Sequence, residues 1–556
     1  MRVFGSGVAL ACYALLAAAY AGGAVVPLMN NDSAHHAAIA LHIHETGNWS
    51  HLVTQGKDYL DKPHLLFWLA ALSFKFFGVN ALAYKLPSLL FSILAVHATV
   101  RLGTMLHSET SGRLAGVILA SAFAFMLANN DVRMDAILTG AIIFSTWQLV
   151  AFAGRGSSGG RQPLTLAALG LALGFATKGM IGAVMPLIAV FLYLVYLRDW
   201  RRLFDPGWLR LALRALLFIS PVLVAYFRQF GVDGVKFILW SQNIERLAGE
   251  RFGNAGADDP LFFYHTFLWA FLPWSPLALW SLASSLRRLT HDRFWPRARG
   301  EALTLGTIVT MFCIMSVSQF KLPHYLNILL PFFAIHLAGW LPARLVHPGG
   351  RRMVLWVQIA VLAALVAVAF LVNAWMFPLR DGRIAVAAVA LLLSGVVLAR
   401  HAPCAARPVI ASVCGVAVFW LLLNFNFYPR LLAYQAGSTL GVKAMTLGLA
   451  PDSLYFLAGG GRAASFDIAT GRLTPEIGLE ELERIDAPVV LYADATDREM
   501  IEAAKLLFDV LEYSPDYRVT RLRMRFLDPN TRARTLRPVY LLRIRPRVTT
   551  ADGDAP

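Results

Sequence analysis

The sequence predicts an α-helical integral membrane protein, a multi-spanning bundle followed by a small soluble α/β domain. Three observations carry this. Of 556 residues, 57% are hydrophobic and 15% charged, with a mean hydropathy of +0.57. A soluble protein of this size could not bury so much apolar surface. Apolar runs long enough, or nearly so, to cross a ~30 Å hydrocarbon core recur about thirteen times, at ~20 residues each. After Tyr428-Pro429-Arg430 these runs stop. The expected division is a membrane domain over 1–429, an α/β domain over 430–548 and a disordered tail over 549–556.

In chain order the spans fall near 8–29, 82–101, 113–130, 136–153, 163–178, 180–197, 211–230, 261–285, 301–318, 324–341, 353–372, 384–400 and 408–427. Arg2 ahead of the first run resembles a signal peptide. No clean small-x-small cleavage site precedes a soluble domain and more spans follow, so the run reads as an uncleaved helix. The stretch 64–79 is apolar but short, and is expected in the interface or under the loop before it. The spans near 170 and 190 are parted only by Thr177-Lys178-Gly179, which predicts a tight hairpin.

Net charge is +16 and the pI near 9.9. The basic residues are concentrated in alternate loops: Arg101 and Arg113; Arg155 and Arg161; Arg198, Arg201, Arg202, Arg210 and Arg214; Arg287, Arg288, Arg293, Arg297 and Arg299; Arg344, Arg351 and Arg352; Arg400 and Arg407. This is a positive-inside signal with the N-terminus inside. The basic balance is therefore topological, and a nucleic-acid partner is not expected. Cys12, Cys313 and Cys414 lie in apolar runs and Cys404 in a short basic loop, so neither a disulfide framework nor a zinc site is expected.

The opposite loops mix acids and bases at helix ends. They carry Asp32, Asp61-Lys62, Asp131-Val132-Arg133-Met134-Asp135, Lys178, a 231–260 loop with Glu245, Arg246, Glu250 and Arg251, and Gln319-Phe320-Lys321-Leu322-Pro323-His324-Tyr325. Charges at membrane depth are costly and read as functional. A wall of acids and one of bases facing lipid suits chemistry on a lipid phosphate. The richest of these loops spans 30–64. Its plain alternative is a solvated loop in which Asp32 caps a short helix and Lys62 anchors at headgroups.

Asp32, Gly47-Asn48-Trp49 and Tyr59-Leu60-Asp61-Lys62-Pro63 together resemble the first extracytoplasmic loop of bacterial membrane glycosyltransferases of the protein O-mannosyltransferase superfamily. The resemblance is closest to the branch that transfers 4-amino-4-deoxy-L-arabinose to lipid A. It continues in order through Arg133-Met134-Asp135, Thr177-Lys178-Gly179, Arg251-Phe252-Gly253, Leu272-Pro273-Trp274 and Lys321-Leu322-Pro323-His324-Tyr325. The resemblance implies a GT-C fold, in the bacterial inner membrane, with the reacting end and the C-terminal domain facing the periplasm. The implied donor is a sugar on undecaprenyl phosphate or a similar polyprenyl phosphate, and the acceptor lipid A or another envelope glycan or protein. By the family pattern Asp32 is the catalytic carboxylate and Asp135 a second one near the acceptor. Lys62, Lys178, Arg251 and Lys321 hold the donor phosphate, with Asp61, Arg133, His324 and Tyr325 as further site candidates. Many relatives carry Asp-Glu where this chain has Asp32-Ser33. That departure leaves a divalent metal open, with Asp32, His35 and His36 as the candidate ligands.

The chemistry does not depend on the family. Glycosyl transfer needs a base for the acceptor proton and stabilisation of the departing phosphate. Lys and Arg can supply the latter without a metal. One base and one displacement predict inversion at the anomeric carbon. His42 and His44 stand two apart, on different faces of a helix, and so make a poor metal motif.

In the C-terminal part a helix is expected over 431–447 and strands over 453–457 and 489–492. An amphipathic helix over 496–513 and strands over 517–526 and 537–545 complete it. Gly459-Gly460-Gly461-Arg462 lacks the Lys-Ser/Thr of a P-loop and reads as a turn. A transporter or flippase of lipid-linked sugars is the competing class. Against it, the charges lie at outer helix ends and no repeat halves are visible.

Overall fold

In a computed structural model the described residues are 4–155, 161–242, 258–291 and 299–546. Helix α1 (Ser6–Val25) is rich in Ala and Leu. It stops before the expected residue 29 because Pro27 bars the preceding residue from helical backbone, and Val26 is extended (φ −60°, ψ 133°). The chain then turns into α2 (Asp32–Thr46). Asn31, and not Asp32, is its cap: the Asn31 side chain accepts from the Ser33 amide at 2.8 Å. Gly47 ends α2 in the left-handed region (φ 68°), which glycine adopts without cost.

A two-stranded hairpin follows, β1 (Val53–Thr54) and β2 (Lys57–Asp58), then the short α3 (Leu65–Phe77), which packs under α2. The bundle continues through α4 (Ala81–Leu106), α5 (Glu109–Ala120), α6 (Phe123–Asn130), α7 (Asp135–Arg155), α8 (Arg161–Lys178) and α9 (Met180–Tyr196). Between α8 and α9 Gly179 takes φ 68°, the tight hairpin expected. The two helices touch backbone to backbone. A Cβ on Gly174 would lie 2.4 Å from the Gly182 carbonyl oxygen, which fixes where Lys178 ends up.

All thirteen expected runs contain helix, but not all form one long, unbroken apolar helix. Among the described residues nine helices are long and apolar enough to cross a membrane, ten if the bent pair α5–α6 is one. The shortfall lies in three stretches: α8 has polar ends, α9 has 17 residues, and 261–285 is broken into Phe262–Ala270 and Ser275–His291. Glu245, Arg246, Glu250, Arg251, Arg293 and Arg297 lie outside the described residues, as does the expected tail from 549.

The C-terminal α/β unit holds a mixed five-stranded sheet, ordered β4 (Glu476–Ile477), β3 (Leu454–Leu457), β5 (Val489–Asp494), β7 (Arg537–Ile544), β6 (Phe508–Asp516). Two expectations are corrected here. The amphipathic run 496–513 is helical only over Ala495–Ala503, and Lys505 then adopts φ 55°. The following residues become β6, paired antiparallel with β7 from Phe508↔Ile544 to Asp516↔Arg537. Ladder bonds along a whole strand outweigh a helical periodicity that carries no tertiary contact of its own. The expected strand 517–526 is a turn leading into a short helix at Met524–Leu527, organised by Tyr517 stacked on Phe526 at 3.8 Å. The Gly459–Gly461 stretch is a turn whose Gly461 amide donates to the Asp497 carboxylate, which occupies the place a phosphate would need.

This unit is tied to the segment between α1 and α3. The Gln435 amide donates to the Leu28 carbonyl (2.9 Å) and accepts from the Asn30 amide (2.6 Å). The Leu473 amide donates to Glu45 (2.9 Å), and helix Ala464–Thr470 lies against α2.

Candidate active site at one end of the bundle

Helix termini deliver the charged residues. Asp32 is the first residue of α2, Asp135 the first of α7 and Lys178 the last of α8. His324 and Tyr325 belong to a 3-10 turn, Pro323–Leu329, at the start of the helix Leu330–Val346. Asp61-Lys62-Pro63 is the turn before α3.

Acids and bases do not form two walls. They interleave. Arg133 Nη1 donates to Asp32 Oδ2 at 3.1 Å, and its Nη2 to Asp131 Oδ2 at 3.0 Å. Asn31 Nδ2 donates to the same Asp131 oxygen at 3.1 Å, so the α2 cap is tied to the loop before α7. Burial disfavours the Arg133 charge, but Asp131, Asp32 and Asp135 outweigh it and hold the guanidinium above its ordinary range. Asp32 itself stays more than half exposed, at 56%.

Deeper in, Lys178 Nζ reaches Asp135 Oδ1 at 3.3 Å and lies over the Tyr325 ring at 4.4 Å. Their side chains are 13% and 4% exposed respectively. His324 interacts electrostatically with Asp135, Lys178, Arg133 and Asp32, so the two groups of charges form one site. On the other side Lys62 donates to Asp61 at 2.5 Å. His36 is buried among Tyr59, Phe67 and His35 and is held well below the usual imidazole range by burial, then by His35, Lys62 and Arg133. A neutral ring packed edge-on against aromatics is a core histidine. Among the described residues no group of three His, Cys, Asp or Glu side chains is arranged to hold a metal ion. Asp32, His35 and His36 therefore do not form a three-ligand centre, and the Asp32 carboxylate is paired with Arg133.

Beside this cluster an apolar cavity of about 490 Å³ opens between α8–α9 and the helices after residue 299. Its walls are mostly Leu, Ile, Met and aromatic side chains, and Lys178, Gln242, Ser318 and Tyr325 are its polar members. The buried Gln242 side chain donates to the Asp61 carbonyl, so the cavity wall also touches the Lys62 turn. Lys321, also buried, donates to the Asp259 carbonyl at 3.0 Å. Arg251 lies outside the described residues.

Sequence reading named Asp131 in its loop but not among the site residues, and gave Asn31 and Gln242 no role. Asp131 and Arg133 stand two apart with Asp135 two further, a spacing that was visible. What was not visible is that Asp131 is the hub joining Asn31 and Arg133. Gln242 carries no charge and gave no signal.

Residues 61–225 match the family described as dolichyl-phosphate-mannose-protein mannosyltransferase. The chain is 29% identical over 322 residues to the undecaprenyl phosphate-alpha-4-amino-4-deoxy-L-arabinose arabinosyl transferase of Pseudomonas paraeruginosa, a match covering 56% of each protein. A protein of the same name from Pseudomonas aeruginosa is 29% identical over 313 residues, 54% of each. The chain thus spans about half the length of the curated relatives it matches. Among solved structures, ArnT from Cupriavidus metallidurans bound to undecaprenyl phosphate superposes with a TM-score of 0.72 over 96% of this chain and 97% of that one, at 16% identity. At that identity the likeness is one of fold. The chain is a multi-spanning helical membrane protein of GT-C architecture with a small C-terminal α/β unit.

Proposed function

We propose that this chain is a membrane glycosyltransferase. It takes a sugar from a polyprenyl-phosphate donor such as undecaprenyl phosphate and passes it to lipid A or another envelope glycan or protein, at the periplasmic face of the inner membrane. The observation that carries this is the apolar cavity of about 490 Å³ with Lys178 and Tyr325 on its wall, next to Asp135. An isoprenoid chain fits apolar walls, and a phosphate at its end fits an ammonium held in a dry setting. A flippase would need no carboxylates gathered at one end of the bundle.

In this reading Asp32 accepts the acceptor hydroxyl proton as that oxygen attacks the anomeric carbon. The bond from that carbon to the phosphate oxygen breaks, and its electron pair stays on the phosphate. Lys178 and Lys62 stabilise the charge that develops there. Arg133, shared by Asp32 and Asp131, orients the base. A single displacement inverts the anomeric centre.

The test is transfer by purified protein in nanodiscs from a radiolabelled polyprenyl-phosphate sugar to total envelope lipid. Label appearing in a new glycolipid supports the reading; label that only changes leaflet overturns it. Orientation is tested in a cysteine-free background. Asn48→Cys and Glu499→Cys should react with an impermeant maleimide in cells with a permeabilised outer membrane, and Arg352→Cys should not. Each of these positions is exposed.

A further inference from the structure

Between α2, the β1–β2 hairpin and the C-terminal unit lies a second cavity, of about 360 Å³. It is unlike the lipid-sized one. His35 and His42 line it from α2, Gln55 from the hairpin, and Arg462, Asp467 and Glu476 from the C-terminal unit. The apolar parts of its wall include Ala38, Phe456 and Leu473. At this volume it lies at the small end of ligand pockets, ~300–1,000 Å³.

Helix α2 connects it to the reacting end. His35, Ala38 and His42 recur at helical spacing and share one face. Asp32 is on that face one turn further back, and both Asp32 and Asp61 act electrostatically on His35. The stripe from Asp32 to His42 is ~15 Å long at 1.5 Å per residue. A ligand seated here is thus a short reach from the catalytic carboxylate.

The wall is rich in hydrogen-bonding groups yet nearly balanced in charge. Arg462 is paired with Glu476. Burial holds His35 and His42 below the usual imidazole range, and pushes the Asp467 carboxyl up to about 7. Two carboxyl groups, Asp467 and Glu476, stand on the wall and Glu45 acts on Asp467 from outside it, which disfavours a phosphate here. Among the described residues the buried His42 Nδ1 has no hydrogen-bond partner. A pocket of donors and acceptors with an apolar side and little net charge suits an uncharged polyhydroxyl ligand.

Resting on the reading above, we infer that this cavity seats the saccharide part of the acceptor, so that the C-terminal unit supplies one wall of the acceptor site. The ring to be modified then lies toward Asp32, and the neighbouring ring lies between His42 and Asp467.

The probe is chitobiose, followed by saturation-transfer difference NMR with the full chain in nanodiscs and glycerol as control. Signal is expected for chitobiose and not for glycerol. Ala38→Trp, which fills the cavity, should reduce the signal at least about tenfold, and His42→Ala should weaken it several-fold without filling anything. In transfer assays His42→Ala should raise the acceptor KM about tenfold with kcat and donor KM preserved. No chitobiose signal in the wild type, or binding indifferent to both Ala38→Trp and His42→Ala, overturns the inference. Chitobiose binding without any sugar transfer would overturn the glycosyltransferase reading and leave a saccharide site in place.

Discussion

Lys178 closes a buried ion pair with Asp135, Nζ to Oδ1 at 3.3 Å, on the wall of the apolar cavity. One helix ends where the other begins, so a C-terminal cation meets an N-terminal carboxylate, each also favoured by the dipole of its own helix. Such a pair gives little net stability, yet removing one member strands the other.

Lys178→Met should therefore lower stability in detergent by ~3 kcal/mol and weaken binding of a polyprenyl phosphate. Adding Asp135→Asn should restore most of the melting temperature but not donor binding. If the double variant recovers both, Lys178 is a structural partner of Asp135 and not a phosphate ligand.

Asp32 is the contrasting carboxylate. It is more than half exposed and is paired with Arg133, which keeps Asp131 in any case. Asp32→Asn should cost little stability. Transfer should fall by roughly two to four orders of magnitude, the range for a positioned base. Near-wild-type transfer would move the base to Asp61, Asp131 or Asp135.

Lys62 and Lys321, each one or two residues ahead of a proline, differ in the fold. Lys62 is held by Asp61, whose carbonyl is bonded to Gln242 in the cavity wall; Lys321 donates to the Asp259 carbonyl. Lys62→Ala should cost ~1.5–3 kcal/mol in donor binding, the worth of a charged hydrogen bond. Lys321→Ala should act mainly on the 258–259 loop, seen as faster proteolysis there. Equal losses of donor affinity in titrations of both variants would put Lys321 in the clamp as well.

Much of this site was legible because membranes punish stray charge. Asp32, Lys62, Arg133, Asp135 and Lys178 stood out against apolar runs, and each lies at a helix terminus of one end. Pairing was not legible. Nothing in the spacing of Asp32 and Arg133, a hundred residues apart, says that they touch, and neutral Asn31 and Gln242 gave no contrast. Helix against strand in 496–513 failed for another reason. The choice was made by β7, which is distant in sequence. Apolar length alone also does not reveal a break such as that between Ala270 and Ser275.

Asp467 gives the C-terminal unit a pH dependence of defined sign. Burial raises its carboxyl to about 7, against 3.8 for a free side chain, despite bonds from Thr474. Between pH 3.8 and about 7 the folded protein holds a proton that the unfolded chain releases. Stability from this group is thus present at low pH and is lost as pH rises through 7. Asp467→Asn should flatten the melting profile between about pH 4 and 7, a window set by those two values, and raise stability at the alkaline end. An unchanged slope would mean that the carboxyl is ionised in the fold.

The last prediction concerns Lys85, a lysine fully buried inside α4. Its ammonium donates to the Gly23 carbonyl (2.8 Å) and the Val26 carbonyl (2.7 Å). These are carbonyls at the end of α1, where Pro27 prevents a further turn from bonding them. The same ammonium lies in the field of Asp131, which holds Asn31 and Arg133. Lys85 thus ties down the start of the segment that carries Asp32, although it touches no reacting group. Lys85→Met keeps the apolar stem but leaves two buried carbonyls without a donor, at ~1–3 kcal/mol each. The variant should melt several degrees lower in detergent. Its kcat should fall while donor KM stays near wild type, since the lipid cavity is lined by other helices. Asn30→Cys labelling should also become faster as the segment loosens. A Lys85→Met protein that melts and turns over like the wild type would show that Pro27 and Asn31 alone hold Asp32 in place.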